Sequence, residues 1–269
     1  MRIPVPDSLR DHTGRTGEPA VPVDAATTVL LRDGADGLEV YLLRRQSTME
    51  FLPRKYVFPG GKTQVSDRDV EHWVGPSPEA WGKIFACDAD TARGLVVAAV
   101  RETFEESGIL LAGPDADTVV SDTSAPDMQA ARLALENGEY GFAEFLTERG
   151  LVLRADLLGA WSHWITPEFE PRRYDTRFFV AALPEGQVVG ELPGEADRAL
   201  WAPMVSVLEW VDAGKAMMLP PTAITCREVS QFAAAGILAA AAEREVKTVA
   251  PFLVDDDGEL FLEYQLEEM

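Results

Sequence analysis

The sequence predicts an α+β fold, a mixed β-sheet carrying helices on its faces, and three observations predict it. Apolar, β-branched runs lie near both ends of the chain, and each pair folds back on a turn rich in Asp and Gly. Segments of helical periodicity lie between them. Strand-like and helix-like stretches alternate irregularly and without internal repeats, which argues against a regular parallel βαβ array. With 269 residues, 46% of them hydrophobic, the chain is long enough to bury one sizeable core. Residues 23–269 are therefore expected to form a single domain, preceded by residues 1–22, a loosely held extended lead-in with four prolines.

The elements follow in order. Ala26 to Arg32 and Leu38 to Arg44 read as a hairpin about the cluster Asp33-Gly34-Ala35-Asp36-Gly37. Tyr56-Val57-Phe58 reads as a short strand ending in the sharp loop Pro59-Gly60-Gly61. Residues 68–93, with Trp73 and Trp81, contain a short helical pattern. Gly94 to Ser107 reads as a helix closed by Gly108, its inner side formed by Leu95, Val96, Ala99, Val100 and Phe104. Residues 127–149 carry a helical stripe of Met128, Ala131, Leu135, Phe142, Phe145 and Leu146. Leu157 to Ile165 and Thr176 to Leu183 are strand-like, separated by a polar loop, Thr166 to Asp175. Trp201 to Ala213 begins a helical stretch, and Cys226 to Val246 reads as one long alanine-rich helix. Val249 to Val254 and Leu260 to Tyr264 form a second hairpin about Asp255-Asp256-Asp257-Gly258.

Composition limits the function. Lys plus Arg number 24 and Asp plus Glu 45, a formal net charge of −21. Such a surface repels phosphate backbones and anionic membranes, so no nucleic-acid or membrane partner is expected. An anionic small molecule would need local cations, either metal ions or a few placed arginines. Cys87 and Cys226 form no CxxC and give no disulfide framework. The N-terminus carries no apolar signal core, and the expectation is a soluble, cytoplasmic protein.

The densest chemistry lies in Arg101-Glu102-Thr103-Phe104-Glu105-Glu106-Ser107-Gly108-Ile109. On a helix, Glu102, Glu105 and Glu106 fall within an arc of roughly 100°. Three carboxylates on one face repel one another unless a cation sits there, and oxygen-only sites suit Mg²⁺ or Mn²⁺. The bland alternative is a solvated acidic face, common in so acidic a chain. Phe58-Pro59-Gly60-Gly61 adds a glycine-permitted loop whose backbone can approach a ligand closely. Gly60-Gly61-Lys62-Thr63 is not a P-loop, because Tyr56 stands where the first glycine belongs.

These residues resemble the Nudix hydrolase box, G-x5-E-x7-R-E-U-x-E-E-x-G-U. Gly61 matches the first glycine, and Asp67 stands where the family has Glu. Arg101, Glu102, Glu105, Glu106, Gly108 and Ile109 match the second half. Thr103 occupies an apolar position, and the seven-residue gap has become Arg68 to Val100. A split box is similar to the subgroup of the peroxisomal coenzyme A diphosphatase and its bacterial relatives. That subgroup's W-x-T-P and R-x-D-T-x-F-F segments correspond to Trp164-Ile165-Thr166-Pro167 and Arg173-Tyr174-Asp175-Thr176-Arg177-Phe178-Phe179.

The resemblance implies a Nudix-type α/β/α sandwich with a mixed sheet and helical insertions at about 68–93 and 115–150, which would shape a pocket rim or a dimer contact. It makes Glu102, Glu105 and Glu106 metal ligands, with the Gly60 carbonyl beside them. Arg101 would steady the carboxylates, and Asp67 would be a supporting acid. Glu105, Glu106 and Arg101 carry the catalysis. The general base is open between Glu106 and the loop acids Glu168, Glu170 and Asp175, each of which could equally be a plain loop acid. Arg172 and Arg173 are candidates to grip phosphates, or else form surface ion pairs. Trp164 and Tyr174 are candidates to stack on adenine, or else belong to the core. The implied activity is Mg²⁺- or Mn²⁺-dependent cleavage of a nucleoside-diphosphate-linked small molecule, coenzyme A or acyl-CoA first, by a candidate homodimer. ADP-ribose, NADH and dinucleotides stay open, because Glu50 and Arg54 depart from a coenzyme A signature known in another branch. A non-catalytic ligand-binding module is the other reading.

Overall fold

The computed structural model describes all residues except 16, 47–53, 193, 195 and 266–269, and everything below concerns the described residues. The chain opens with β1 (Arg2–Pro4) and the short α1 (Asp7–Arg10). The first hairpin is β2 (Val23–Gly34) with β3 (Gly37–Arg45), turning between Gly34 and Gly37. Then come β4 (Tyr56–Val57), β5 (Gly60–Lys62), a 3-10 turn at Val65–Asp69 and β6 (Trp73–Val74). The helices α2 (Pro78–Phe85) and α3 (Ala89–Ser107) follow. Beyond them lie β7 (Ala112–Gly113), α4 (Pro126–Glu136), α5 (Phe142–Glu148), β8 (Val152–Arg154), β9 (Gly159–Ile165) and β10 (Tyr174–Ala182). The last third contains β11 (Ala196–Pro203), α6 (Met204–Asp212), α7 (Pro220–Val229) and α8 (Ile237–Ala242). It ends in β12 (Thr248–Val249), β13 (Phe252–Asp256) and β14 (Glu259–Glu263).

The main sheet runs β11-β3-β2-β10-β9-β12, with β4 on β3 and β5 on β2. It is mixed, since β10 pairs parallel with β2 and antiparallel with β9. Successive residues of β10 face opposite layers. Phe179 and Ala181 join a core with α2, α3, α4 and α5. Phe178 and Val180 join a second core with α6, α7, α8 and the terminal strands. The result is the expected α/β/α sandwich. Trp81 of the first insertion stacks on Phe85 and meets Phe179 edge-on, at ring separations of 6.0 and 5.6 Å.

Three expectations are corrected. Residues 1–22 are not a loose lead-in: β1 pairs with β14, Val5 is buried, and His12 reaches Glu170. Trp201 lies in a strand, opposite Tyr41 of β3, and the helix begins only at Met204, after Pro203. The helix expected over 226–246 is two helices with a break. Asp33, from the distant β2 end, accepts the amides of Ala234 and Ala235 at 2.9 and 3.3 Å and so starts a new helical segment there.

The inserted helix α4 braces α3. Arg132, buried, donates from Nη1 to the Glu105 carbonyl at 2.9 Å and from Nη2 to the Glu191 carbonyl at 3.0 Å. Tyr41 donates to the Glu106 carbonyl, and the Gly190 amide to that of Ser107. These donors serve carbonyls that a helix C-terminus leaves unpaired.

The alternation of β10 also turns Asp175 away from Tyr174 and Thr176. Asp175 hydrogen-bonds His163 and lies 2.8 Å from Arg177, which also holds Asp24 at 2.9 Å. Burial alone would raise the Asp175 pKa, but His163 and Arg177 outweigh it and hold the carboxyl below its usual range. A depressed carboxylate pKa stabilises the fold above the ordinary range, and that stability is lost as pH falls through the folded-state value. Asp175→Asn should therefore lower stability at neutral pH, with the difference from wild type shrinking in acid, read by urea unfolding across pH. Arg132→Ala leaves the carbonyl of buried Glu105 without its donor and should cost about 1–3 kcal/mol in the same measurement. A cost near zero would contradict the brace.

Candidate active site

The site grows from the end of α3. Asp88 caps its start, accepting the Thr91 amide at 2.9 Å, and Gly108, at φ 78°, closes it. Leu95 through Val100 are all buried, which fixes the helix between sheet and insertion. Its last two turns then bring Arg101, Glu102, Glu105 and Glu106 against the β4–β5 loop. Both loop glycines are required by close approach. A Cβ on Gly61 would lie 2.5 Å from the Glu102 carboxyl carbon, and one on Gly60 would lie 2.5 Å from the Ala26 carbonyl. The Gly60 amide donates to Glu106 Oε2 at 2.8 Å.

Arg101 is the hub. Its Nε and Nη2 grip Asp67 at 2.8 and 3.0 Å, Nη1 reaches Glu102 at 2.7 Å and Glu105 at 3.3 Å, and Nη2 also donates to the Lys62 carbonyl. Asp67 has no exposed surface and Arg101 only 2%. Burial would disfavour the guanidinium charge, but Asp67, Glu102 and Glu105 outweigh it, and Arg101 is held more firmly protonated than usual. Asp67, although shorter than Glu, does reach, because Oδ2 also accepts the Gln64 amide at 2.7 Å and fixes the turn.

Glu105 is pushed up to about 7, chiefly by burial and then by the Glu102 charge, with Arg101 pulling the other way. Carboxylates at a helix C-terminus also oppose its dipole. A bound cation would relieve both effects. The donor chemistry fits a hard divalent ion: carboxylate oxygens beside a glycine-exposed backbone. Among the described residues, no three acidic, His or Cys side chains stand ready as a closed cage.

The carboxylates open onto a cleft of about 840 Å³. Its lining is mixed: Glu102, Glu105, Glu106, Arg45, Lys62 and Arg172 contribute charge, and Leu9, Trp164, Leu219, Pro251, Leu262 and Tyr264 contribute apolar surface. Trp164 belongs to the second core, almost fully buried and edge-on to Tyr264 at 5.9 Å, and reaches the cleft only as part of its wall, while Tyr174 lines the same cleft. Glu170 also lines it, but His12 Nδ1 lies 3.1 Å from both its carboxylate oxygens. Glu168 and Arg173 line a neighbouring cavity instead. Asp175 is absent from the cleft, on the opposite sheet face. Glu50 lies outside the described residues, and Arg54 is exposed. Sequence reasoning missed Glu136, which the inserted helix contributes to the cleft, Leu262 of β14 and Tyr264 just beyond that strand. All three arrive by tertiary docking and carry no local motif.

Comparison with known proteins fits this geometry. Residues 89–229 match the family model described as the NUDT19 Nudix domain. The acyl-coenzyme A diphosphatase NUDT19 of Gallus gallus is 30% identical over 207 residues, covering 59% of this chain and 54% of that protein. Its Xenopus laevis counterpart is 26% identical over 230 residues, covering 72% and 60%. The match thus spans little more than half the length of these relatives. A NUDIX hydrolase from Alicyclobacillus acidocaldarius, solved by crystallography, is 30% identical with a TM-score of 0.67, covering 82% of this chain and 96% of that one. With the domain matched in sequence and the fold shared across nearly the whole of a solved relative, the chain belongs to the Nudix hydrolase family.

Proposed function

We propose that this protein is a divalent-metal-dependent hydrolase that cleaves the diphosphate linkage of coenzyme A or an acyl-coenzyme A. The observation that carries the reading is the cleft itself, which is lined by carboxylates and arginines together with apolar side chains. Such a cleft suits a substrate with a charged diphosphate and a long uncharged arm, and the relatives named acyl-coenzyme A diphosphatase point the same way. In this reading Glu102, Glu105, Glu106 and the Gly60 carbonyl hold the metal, Mg²⁺ or Mn²⁺. A divalent cation held there would supply charge neutralisation for the phosphoryl group and would lower the pKa of a water. Arg101 orients Glu102 and Glu105, and Asp67 fixes Arg101. Arg172 holds the diphosphate, and Trp164 and Tyr174 flank the nucleobase. Glu106 accepts the water proton. The water oxygen bonds to one phosphorus, the bridging P–O bond breaks, and the leaving phosphate keeps the electron pair. The setting we propose is the cytoplasm, in keeping with two unpaired cysteines, and the assembly a homodimer, by family likeness. No helix among the described residues is long and apolar enough to cross a membrane.

Hydrolysis of coenzyme A, ADP-ribose, NADH and diadenosine tetraphosphate, with products read by mass, tests the reading. Coenzyme A should yield 4′-phosphopantetheine and adenosine 3′,5′-bisphosphate, and Glu105→Gln should lower kcat at least about 100-fold. Binding of one compound with metal but without turnover would favour the ligand-binding module instead. Mn²⁺ at about 100 times its Kd should add roughly 2.7 kcal/mol to stability, and the gain should vanish in Glu105→Gln. No thermal shift in wild type would leave the acidic face merely solvated.

A further inference from the structure

We propose that the cavity beside the cleft is a second anion subsite, formed by Arg15 and Arg173, that takes a phosphomonoester of the substrate separate from its diphosphate. The inference rests on the hydrolase reading and deepens it. The cavity, about 540 Å³, adjoins the cleft and shares Thr166, Pro167 and Pro251 with its wall. The two neighbouring arginines divide between the two chambers: Arg172 lines the cleft and Arg173 the cavity.

Arg173 is half-buried and preorganised. Its Nε donates to the Thr166 carbonyl at 3.0 Å and its Nη1 to the Ala20 carbonyl at 2.8 Å. Both partners are neutral, so the guanidinium keeps its full charge, and its ordering does not have to be supplied by the ligand. Arg15 lines the same cavity, and neither arginine has a carboxylate partner among the described residues. Exposed Arg2 and Arg227 do pair with carboxylates, whereas Arg93 and Arg132, like Arg173, are held by backbone carbonyls. Among the described residues, Glu168 is the one acid lining the cavity, against two arginines. A compact dianion meeting two guanidinium groups matches that balance. Coenzyme A carries such a phosphomonoester on its ribose 3′ position and NADPH on its 2′ position. ADP-ribose and NADH carry none.

The test compares kcat/KM for coenzyme A against 3′-dephospho-coenzyme A, and for NADPH against NADH, in wild type and Arg15→Ala. Arg15 is exposed, so its truncation leaves no buried group unpaired. Wild type should prefer the phosphorylated member of a pair roughly tenfold or more, through KM, and the ratio should fall towards one in Arg15→Ala. A preference confined to NADPH keeps the subsite and reassigns the substrate. A second arm needs no turnover. Calorimetry without metal should show adenosine 3′,5′-bisphosphate binding roughly tenfold tighter than 5′-AMP in wild type, with the difference lost in Arg15→Ala. If neither form of coenzyme A is cut while this binding difference stands, the proposed substrate falls and the subsite survives. Equal binding of the two nucleotides, or equal kcat/KM within both pairs, overturns the subsite.

Discussion

The buried pair between Arg101 and Asp67 is the constraint on which the rest of the site depends. Thirty-four positions separate the two residues, yet two hydrogen bonds of 2.8 and 3.0 Å join them with almost no exposed surface. A bidentate guanidinium–carboxylate pair fixes orientation as well as distance. It therefore pins α3 to the turn after β5 whatever lies between them in sequence. That is how the Nudix box tolerates an insertion from Arg68 to Val100, since the two halves are rejoined in space by the ends of the split. Removing one member of such a pair strands a buried charge, at a cost of about 3–5 kcal/mol.

The same helix end carries an electrostatic burden. Glu102, Glu105 and Glu106 sit where the helix dipole is already negative. The fold answers locally with Arg101 and more remotely with Arg132, whose guanidinium meets the Glu105 carbonyl from the inserted helix. The insertions thus support α3, and of the two only the second reaches the cleft: Trp81 packs the first against Phe179, while Arg132 braces α3 and Glu136 lines the cleft. Both layers of the sandwich contribute. One holds α3, and the other supplies Trp164, Leu262 and Tyr264 for the apolar wall.

What was legible in the sequence was what depends on near neighbours. The face of Glu102, Glu105 and Glu106, the closing Gly108, the glycine loop and both hairpins follow from period and turn chemistry. Asp175 was read as a loop residue, but the strand begins at Tyr174, two residues before Thr176, and alternation within it turns Asp175 towards His163. The break in the expected helix over 226–246 is imposed by Asp33, about two hundred residues earlier. Arg132, Glu136 and Arg15 have no local signal, because their roles arise only when separate elements dock.

The most direct test is a Mn²⁺ titration followed by electron paramagnetic resonance, comparing wild type with Asp67→Asn at a temperature where circular dichroism shows both folded. Residue 67 is assigned no contact with the metal. If the pair with Arg101 sets the carboxylates, Asp67→Asn should weaken Mn²⁺ binding by roughly tenfold or more. Unchanged affinity in the folded variant would mean that Glu102, Glu105 and Glu106 organise without the clamp, and would contradict the account.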